Sequence, residues 1–230
     1  MSTSTETSID LSTETHWEKA AKTRMGKYLT SLETNFISKS IDLSQENIKV
    51  MDVGAEAGRF SLLAVDSKAT VVSVDINSYA LKRLKLKNKQ ISIIQADARH
   101  LPLKDEIFDV VFMIEVLDYI PELNSALAEC KRTLKPKASC ILSFGNKSSL
   151  KAKLKAIHGK SYKHSHNGVI QCLSKTGLIV KRKIGYSWLP FGRISESALV
   201  PVAAGIERIF MLRRVVRFSP WVIMHLTKPL

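Results

Sequence analysis

Between residues 130 and 195 the chain has no aspartate or glutamate, yet it carries 15 lysines and arginines there. Residues 1–129 hold 15 basic and 19 acidic side chains, so the net charge of +14 lies wholly in the second half. A one-sided excess of this kind points to an anionic partner: nucleic acid, acidic lipid headgroups or a phosphorylated small molecule. A basic surface that merely keeps the chain solvated gives the same composition. Long apolar runs are missing too. No stretch reaches 18 apolar residues, which argues against a membrane-spanning helix. The three cysteines, Cys130, Cys140 and Cys172, have no paired spacing, which argues against a disulfide framework. They are expected as buried free thiols in the reducing cytoplasm. No Cys/His cluster has zinc spacing, so no metal is expected. The opening MSTSTETSIDLSTET lacks the apolar core of a signal peptide and the basic character of a transit peptide. It reads as a flexible tail over residues 1–15.

Against these absences stands one informative stretch, Val50 to Phe60, VMDVGAEAGRF, followed by VVSVD ending at Asp75. A β-rich run ends in an acid, breaks into a small-residue turn and enters a helix; a second β-branched run ends in another acid. In open α/β sheets, ligands sit at the carboxyl ends of the strands where the strand order reverses. Asp52 and Asp75 fall at two such ends. A carboxylate at the second strand's end can accept both hydroxyls of a ribose, each bond worth roughly 1.5–3 kcal/mol. Gly54 and Gly58 carry no Cβ and let the backbone approach a nucleoside closely. The dinucleotide fingerprint, however, lacks its glycines: the third position is Glu56 and the sixth is Arg59. Glu56 would also repel a pyrophosphate.

The motif Asp52-Val-Gly54-Ala55-Glu56-Ala-Gly58 resembles the first motif of the class I S-adenosylmethionine-dependent methyltransferases, in particular the small-molecule, methyltransferase type 11-like group. The resemblance continues in order along the chain. IQADARHLP places Asp97 and Ala98 after a third strand, Ile91 to Gln95. FDVVFMIEVLDYIP gives a fourth strand, Phe108 to Met113, then Ile114, Glu115 and a helix opened by Pro121. LKPKASCILSFGN resembles the turn and fifth strand. The resemblance implies S-adenosyl-L-methionine as cofactor, held by Asp52, Gly54, Ala55, Glu56, Gly58, Asp75, Ile76, Asp97, Ala98 and Ile114. In this family Asp97 and Ala98 would meet the adenine amino group and ring. The departure is Glu56 in place of the middle glycine. It either crowds the methionine end, salt-bridges the ligand's amino group, or marks an inactive site.

The rest of the chain fits an α/β architecture: strands alternating with helices predict a parallel sheet covered on both faces. The family's fold adds the detail of a Rossmann-like seven-stranded sheet, with strand seven antiparallel between strands five and six. Residues 16–38 read as one helix, with Trp17, Ala20, Ala21, Tyr28, Leu32, Phe36 and Ile37 on its buried side. Lys82, Arg83, Lys85, Lys87 and Lys89 read as a solvated helix face and its end. Strands are expected at Ile48–Val53, Thr70–Asp75 and Leu178–Ile184, a helix at 167–176 ended by Gly177, and the closing strand at Trp221–Thr227. The domain reading is therefore a core over 16–187, a helical lid insertion over 188–219 and a closing strand over 220–230. The insertion mixes Trp188, Leu189, Phe191, Phe210 and Phe218 with Arg193, Arg208, Arg213, Arg214 and Arg217. That composition suits a helix at a membrane interface. Read as one helix, though, Arg213 and Arg217 fall beside Ile206 and Phe210 and interrupt the apolar stripe.

Methyl transfer to a hydroxyl needs a proton acceptor near the cleft. Candidates are Glu115, Asp118 and Tyr119 after strand four, and His164 or His166 in the basic loop. Many quinol and phenol methylating relatives carry His where Tyr119 stands, so no catalytic base is assigned. Three functions follow: a methyltransferase for a small molecule or a lipid, quinone or glycan precursor; an RNA or other nucleic-acid methyltransferase; and a non-catalytic S-adenosylmethionine-binding module. The nucleic-acid reading is weakened by MIEVLDY after strand four, where base-amine enzymes show Asn/Asp-Pro-Pro-aromatic. The expected partner is a small or lipid-like acceptor, with a cytoplasmic location and peripheral contact with an anionic membrane surface as an option. Oligomeric state is not legible.

Overall fold

Seven runs of β-branched and apolar residues form one sheet: β1 (Lys49–Val53), β2 (Thr70–Asp75), β3 (Ser92–Gln95), β4 (Phe108–Met113), β5 (Leu134–Gly145), β6 (Ile179–Tyr186) and β7 (Trp221–Thr227). The computed structural model describes residues 12–156, 164–188 and 191–230. The strand order is β3-β2-β1-β4-β5-β7-β6, with β7 antiparallel to both β5 and β6 and the other pairs parallel. The expected seven-stranded methyltransferase-like sheet is thus observed, with β2, β4 and β7 at the expected limits. β6 runs two residues further than expected because Tyr186 pairs with Trp221.

Both faces of the central strands β1, β4, β5 and β7 are largely buried, which is why they are nearly continuous in apolar residues, whereas the edge strand β6 exposes Lys181, Arg182 and Lys183. Val50, Val71, Val110, Phe112, Ile141 and Ile223 face one core, under Phe36 and Phe60. Met51, Val53, Val74, Val111, Cys140, Leu142 and Met224 face the other, against Leu127 and Leu173. Full burial of one such side chain is worth roughly 1.5–3 kcal/mol. The helices that supply the cover are α1 (His16–Lys22), α2 (Arg24–Ser38), α3 (Arg59–Asp66), α4 (Ser78–Lys87), α5 (Leu123–Thr133), α6 (Leu150–Ala156), α7 (His166–Thr176) and α8 (Val200–Ile209). Gly177, at φ +75°, ends α7 as expected.

Two expectations need correction. The leading helix is not continuous: Thr23, at ψ 161°, separates α1 from α2. Its hydroxyl donates to the Ala20 carbonyl at 2.7 Å and accepts from the Gly26 amide at 3.0 Å, so it closes one helix and caps the next. A Cβ on Gly26 would meet the Ala20 oxygen at 1.9 Å, so only glycine allows so close a turn. Nor is Arg83 on a solvated face. It pairs with Glu18 of α1 at 2.8 Å, and Lys87 joins the same carboxylate at 2.6 Å. Residues 1–11 of the expected tail, the 157–163 part of the basic loop with Gly159, and Leu189 with Pro190 lie outside the described residues.

Candidate cofactor and acceptor site

The strand order reverses between β1 and β4, and the loops after their carboxyl ends meet there. Gly54, at φ +72°, bends the chain out of β1, and its amide donates to Val74 on β2 at 2.8 Å. A Cβ on it would lie 2.4 Å from Val116 in the loop after β4. Gly58, at φ +89°, starts α3, and a Cβ there would meet Leu84 at 2.1 Å. Each glycine therefore allows a close approach between segments that a side chain would force apart.

Asp52 is buried beneath this turn. Its Oδ2 accepts from the Ser61 hydroxyl at 2.6 Å, and Ser61 lies 2.7 Å from the Ser73 hydroxyl. Burial pushes its carboxyl up to about 6, against the opposing pull of the Ser61 bonds. Asp75 stands at the end of β2, half-buried. Its Oδ2 accepts from the Glu56 amide and its Oδ1 from the Asn77 amide, both at 2.8 Å. Ionised carboxylates have about four acceptor positions, so this pair of bonds leaves capacity on Asp75. Ile76 beside it is 69% exposed. Glu56 adopts φ +49°, a left-handed conformation that glycine takes more readily, and its carboxylate folds back onto the Ala57 amide.

Asp97 accepts four bonds from Arg99, three from the guanidinium, the shortest at 2.7 Å from Nη2, and one from the backbone amide at 2.8 Å. Those bonds hold its carboxyl down at about 2. Ala98 and Ile114 are buried at the ends of the neighbouring segments. All ten sequence-assigned cofactor positions thus lie at or just beyond the carboxyl ends of β1 to β4. Asp52 differs from the rest in facing a hydroxyl network inside the core.

The candidate bases are placed differently. Glu115, at φ +63°, is gripped by both guanidinium arms of Arg193 and lies 3.0 Å from Arg59. Burial pushes its carboxyl up, and the charges of Arg193 and Arg59 more than offset that, holding it well below the usual range. Such a group is a poor proton acceptor at neutral pH. Asp118 accepts from the Gly145 amide at 3.0 Å. Tyr119 is 62% exposed. His164 contacts the Leu117 and Ile120 carbonyls through Nε2 at 2.9 and 3.2 Å, so it braces the turn after β4. His166 is buried at the start of α7, where burial lowers its basicity. His164 is half-buried and His166 buried, so neither is a fully exposed side chain.

A cluster that the sequence reading passed over lies around Glu115. Glu33 of α2 is fully buried, accepts from the Tyr186 hydroxyl at 2.7 Å and lies 3.3 Å from Arg59. Arg193 also stacks on Trp221 at 4.5 Å and Trp17 at 5.3 Å from the ring centres. The signal for Glu33 was present: it occupies the buried stripe of α2 shared by Leu29, Leu32, Phe36 and Ile37. An acid in an apolar stripe needs a partner.

A doubly covered sheet with a single antiparallel strand and a glycine turn at its switch point defines the class I methyltransferase architecture. Comparison agrees. A methyltransferase-domain family matches residues 51–142. An uncharacterized protein of Methanocaldococcus jannaschii is 34% identical over 140 residues, covering 58% of this chain and 60% of that protein. A ubiquinone biosynthesis O-methyltransferase of Pseudomonas fluorescens is 28% identical over 154 residues, 64% of each. The chain therefore spans less than two thirds of the length of these relatives. Geranyl diphosphate C-methyltransferase from Streptomyces coelicolor superposes with a TM-score of 0.66 at 15% identity, over 88% of this chain and 81% of that one. Residues 51–142 thus match a methyltransferase-domain family whose cofactor is S-adenosylmethionine, on a fold shared with methyltransferases of solved structure.

Proposed function

We propose that this chain is an S-adenosylmethionine-dependent methyltransferase acting on a small molecule or lipid-like precursor. The observation that carries the reading is Asp75, with its remaining acceptor capacity beside the glycine turn and the exposed Ile76. The donor and acceptor set fits the cofactor. Asp75 would take the ribose hydroxyls, and Asp97 would take the adenine amino group in exchange for one of its bonds from Arg99. Ile76, Ala98 and Ile114 would flank the ring. The main chain of Gly54, Ala55, Glu56 and Gly58 would line the methionine end, with Asp52 supporting that turn through Ser61.

When bound, the cofactor supplies a methyl group already activated by a positive sulfur. What the protein must add is alignment and exclusion of water. Arg193, held between Trp17, Trp221 and Glu115, closes the β6–β7 connection over the end of β4, which suits that task. The connection is accordingly read as a lid over the acceptor side. The acceptor class is supported by the names of the relatives, which concern a quinone precursor and a prenyl diphosphate. Calorimetric titration with S-adenosylmethionine and with its demethylated product tests the reading. Saturable heat is expected for both; no heat at millimolar ligand would remove the enzyme altogether.

A further inference from the structure

Of the fifteen large apolar side chains exposed among the described residues, nine lie between Ile194 and Phe218. This concentration is organised. α8 buries Val200, Ala203 and Glu207, and turns Leu199, Val202, Ile206, Ile209 and Phe210 to solvent. Their three- and four-residue spacing makes one unbroken apolar stripe. The interrupted stripe expected from sequence assumed a helix reaching Arg217. Instead α8 ends at Ile209, and Met211 at φ +50° turns the chain away. Arg213 and Arg217 therefore leave the wheel, and the stripe is clean.

Beside it lies a hollow of about 460 Å³, lined by Asn35, Lys39, Ala204, Gly205, Arg208 and Arg213. It contains three cations and no acid. None of the three forms an ion pair among the described residues. The Nε of Arg213 is buried without a hydrogen-bond partner. Arg214 and Arg217 are exposed on the same connection. Its acids are spent elsewhere: Glu196 accepts from the Arg24 amide at 3.2 Å, and buried Glu207 accepts from Tyr28 and the Trp188 amide.

We propose that the α8 face docks on an anionic lipid bilayer, with a headgroup phosphate in the hollow between Lys39, Arg208 and Arg213. An apolar stripe flanked by arginines is what an interfacial helix presents to acidic lipid. A second copy of the chain is a poorer occupant, because a two-fold contact on this face would set arginine against arginine. The proposal goes beyond methyl transfer and is read without the cofactor.

The test is flotation of the full chain with vesicles of phosphatidylcholine alone and of phosphatidylcholine with phosphatidylserine. Binding is expected only to the serine-containing vesicles. Ile209→Glu with Phe210→Glu should abolish it. Arg208→Gln and Arg213→Gln should each weaken it about fivefold, while cofactor binding stays unchanged in both and melting temperature in the exposed Arg208 variant. Equal binding to both vesicle types, or none, would overturn the proposal, as would variants that float like the wild type. So would a dimer in light scattering that Ile209→Glu dissolves, or RNA binding that the α8 variants abolish while vesicle binding is absent.

Discussion

Arg193, from the connection between β6 and β7, grips Glu115 just beyond the end of β4 with both arms of its guanidinium. The pair joins segments far apart in sequence at the site where the sheet order reverses. Both side chains are largely buried, and Arg59 shares the same carboxylate at 3.0 Å. Removing one partner of a buried ion pair leaves the others uncompensated, at a cost of about 3–5 kcal/mol. Glu115→Gln should accordingly lower the urea midpoint by that much stability. A midpoint within error of the wild type would mean that the cluster does not hold the connection in place.

The neighbouring Glu33 makes stability depend on pH in the opposite sense from a surface acid. Burial, and next the Glu115 carboxylate, push its carboxyl above the ordinary value of 4.5. A group whose folded pKa is raised contributes its full stabilisation below the unfolded value and loses it as pH rises through the folded one. Glu33 should therefore cost the protein stability from about pH 4.5 upward through neutrality. Glu33→Gln keeps an acceptor for Tyr186 and cannot ionise. Denaturation series at several pH values should show that slope in the wild type and a flatter profile in the variant; parallel profiles would refute the assignment.

Much of this arrangement was legible in the residues because sheet and turn are specified locally. Period, β-branching and two terminal acids mark β1 and β2, and Gly54 and Gly58 mark the turn. The antiparallel place of the last strand between the fifth and sixth came from the resemblance, and β7 occupies it. What escaped were contacts between distant segments. Thr23 reads as an ordinary helix residue until its hydroxyl is seen capping α2. Arg83 reads as solvated until Glu18 arrives from α1. Arg193 belongs to a stretch with no periodicity, so nothing local directs it to Glu115. The α8 stripe was obscured for a related reason: the stop at Met211 has no glycine or proline to announce it.

Glu56 replaces a glycine of the family motif, and its carboxylate bends onto the Ala57 amide while its own amide donates to Asp75. Its contribution is thus expected through the main chain, which glycine supplies equally well. Glu56→Gly should change cofactor affinity by less than about 0.7 kcal/mol, or roughly threefold. A gain of tenfold or more in calorimetry would show instead that the side chain obstructs the methionine end. A comparable loss would show that it pairs with the ligand's amino group.

Asp75 provides the sharpest separation between a binding site and a structural turn. Its oxygens tie the Glu56 and Asn77 amides to the end of β2, so truncation risks loosening the loop as well as losing the ligand. Two variants divide these effects. Asp75→Ala removes every acceptor and should weaken S-adenosylmethionine binding by about 1.5–3 kcal/mol. Asp75→Asn keeps one oxygen for the loop but loses the charge that strengthens bonds to hydroxyls. Its amide nitrogen faces the second loop amide and cannot accept from it, so the variant should melt below the wild type but above the alanine variant, and bind more weakly than the wild type. Asparagine affinity equal to that of aspartate would assign the residue to loop structure alone, and unchanged affinity in the alanine variant would place the ribose elsewhere.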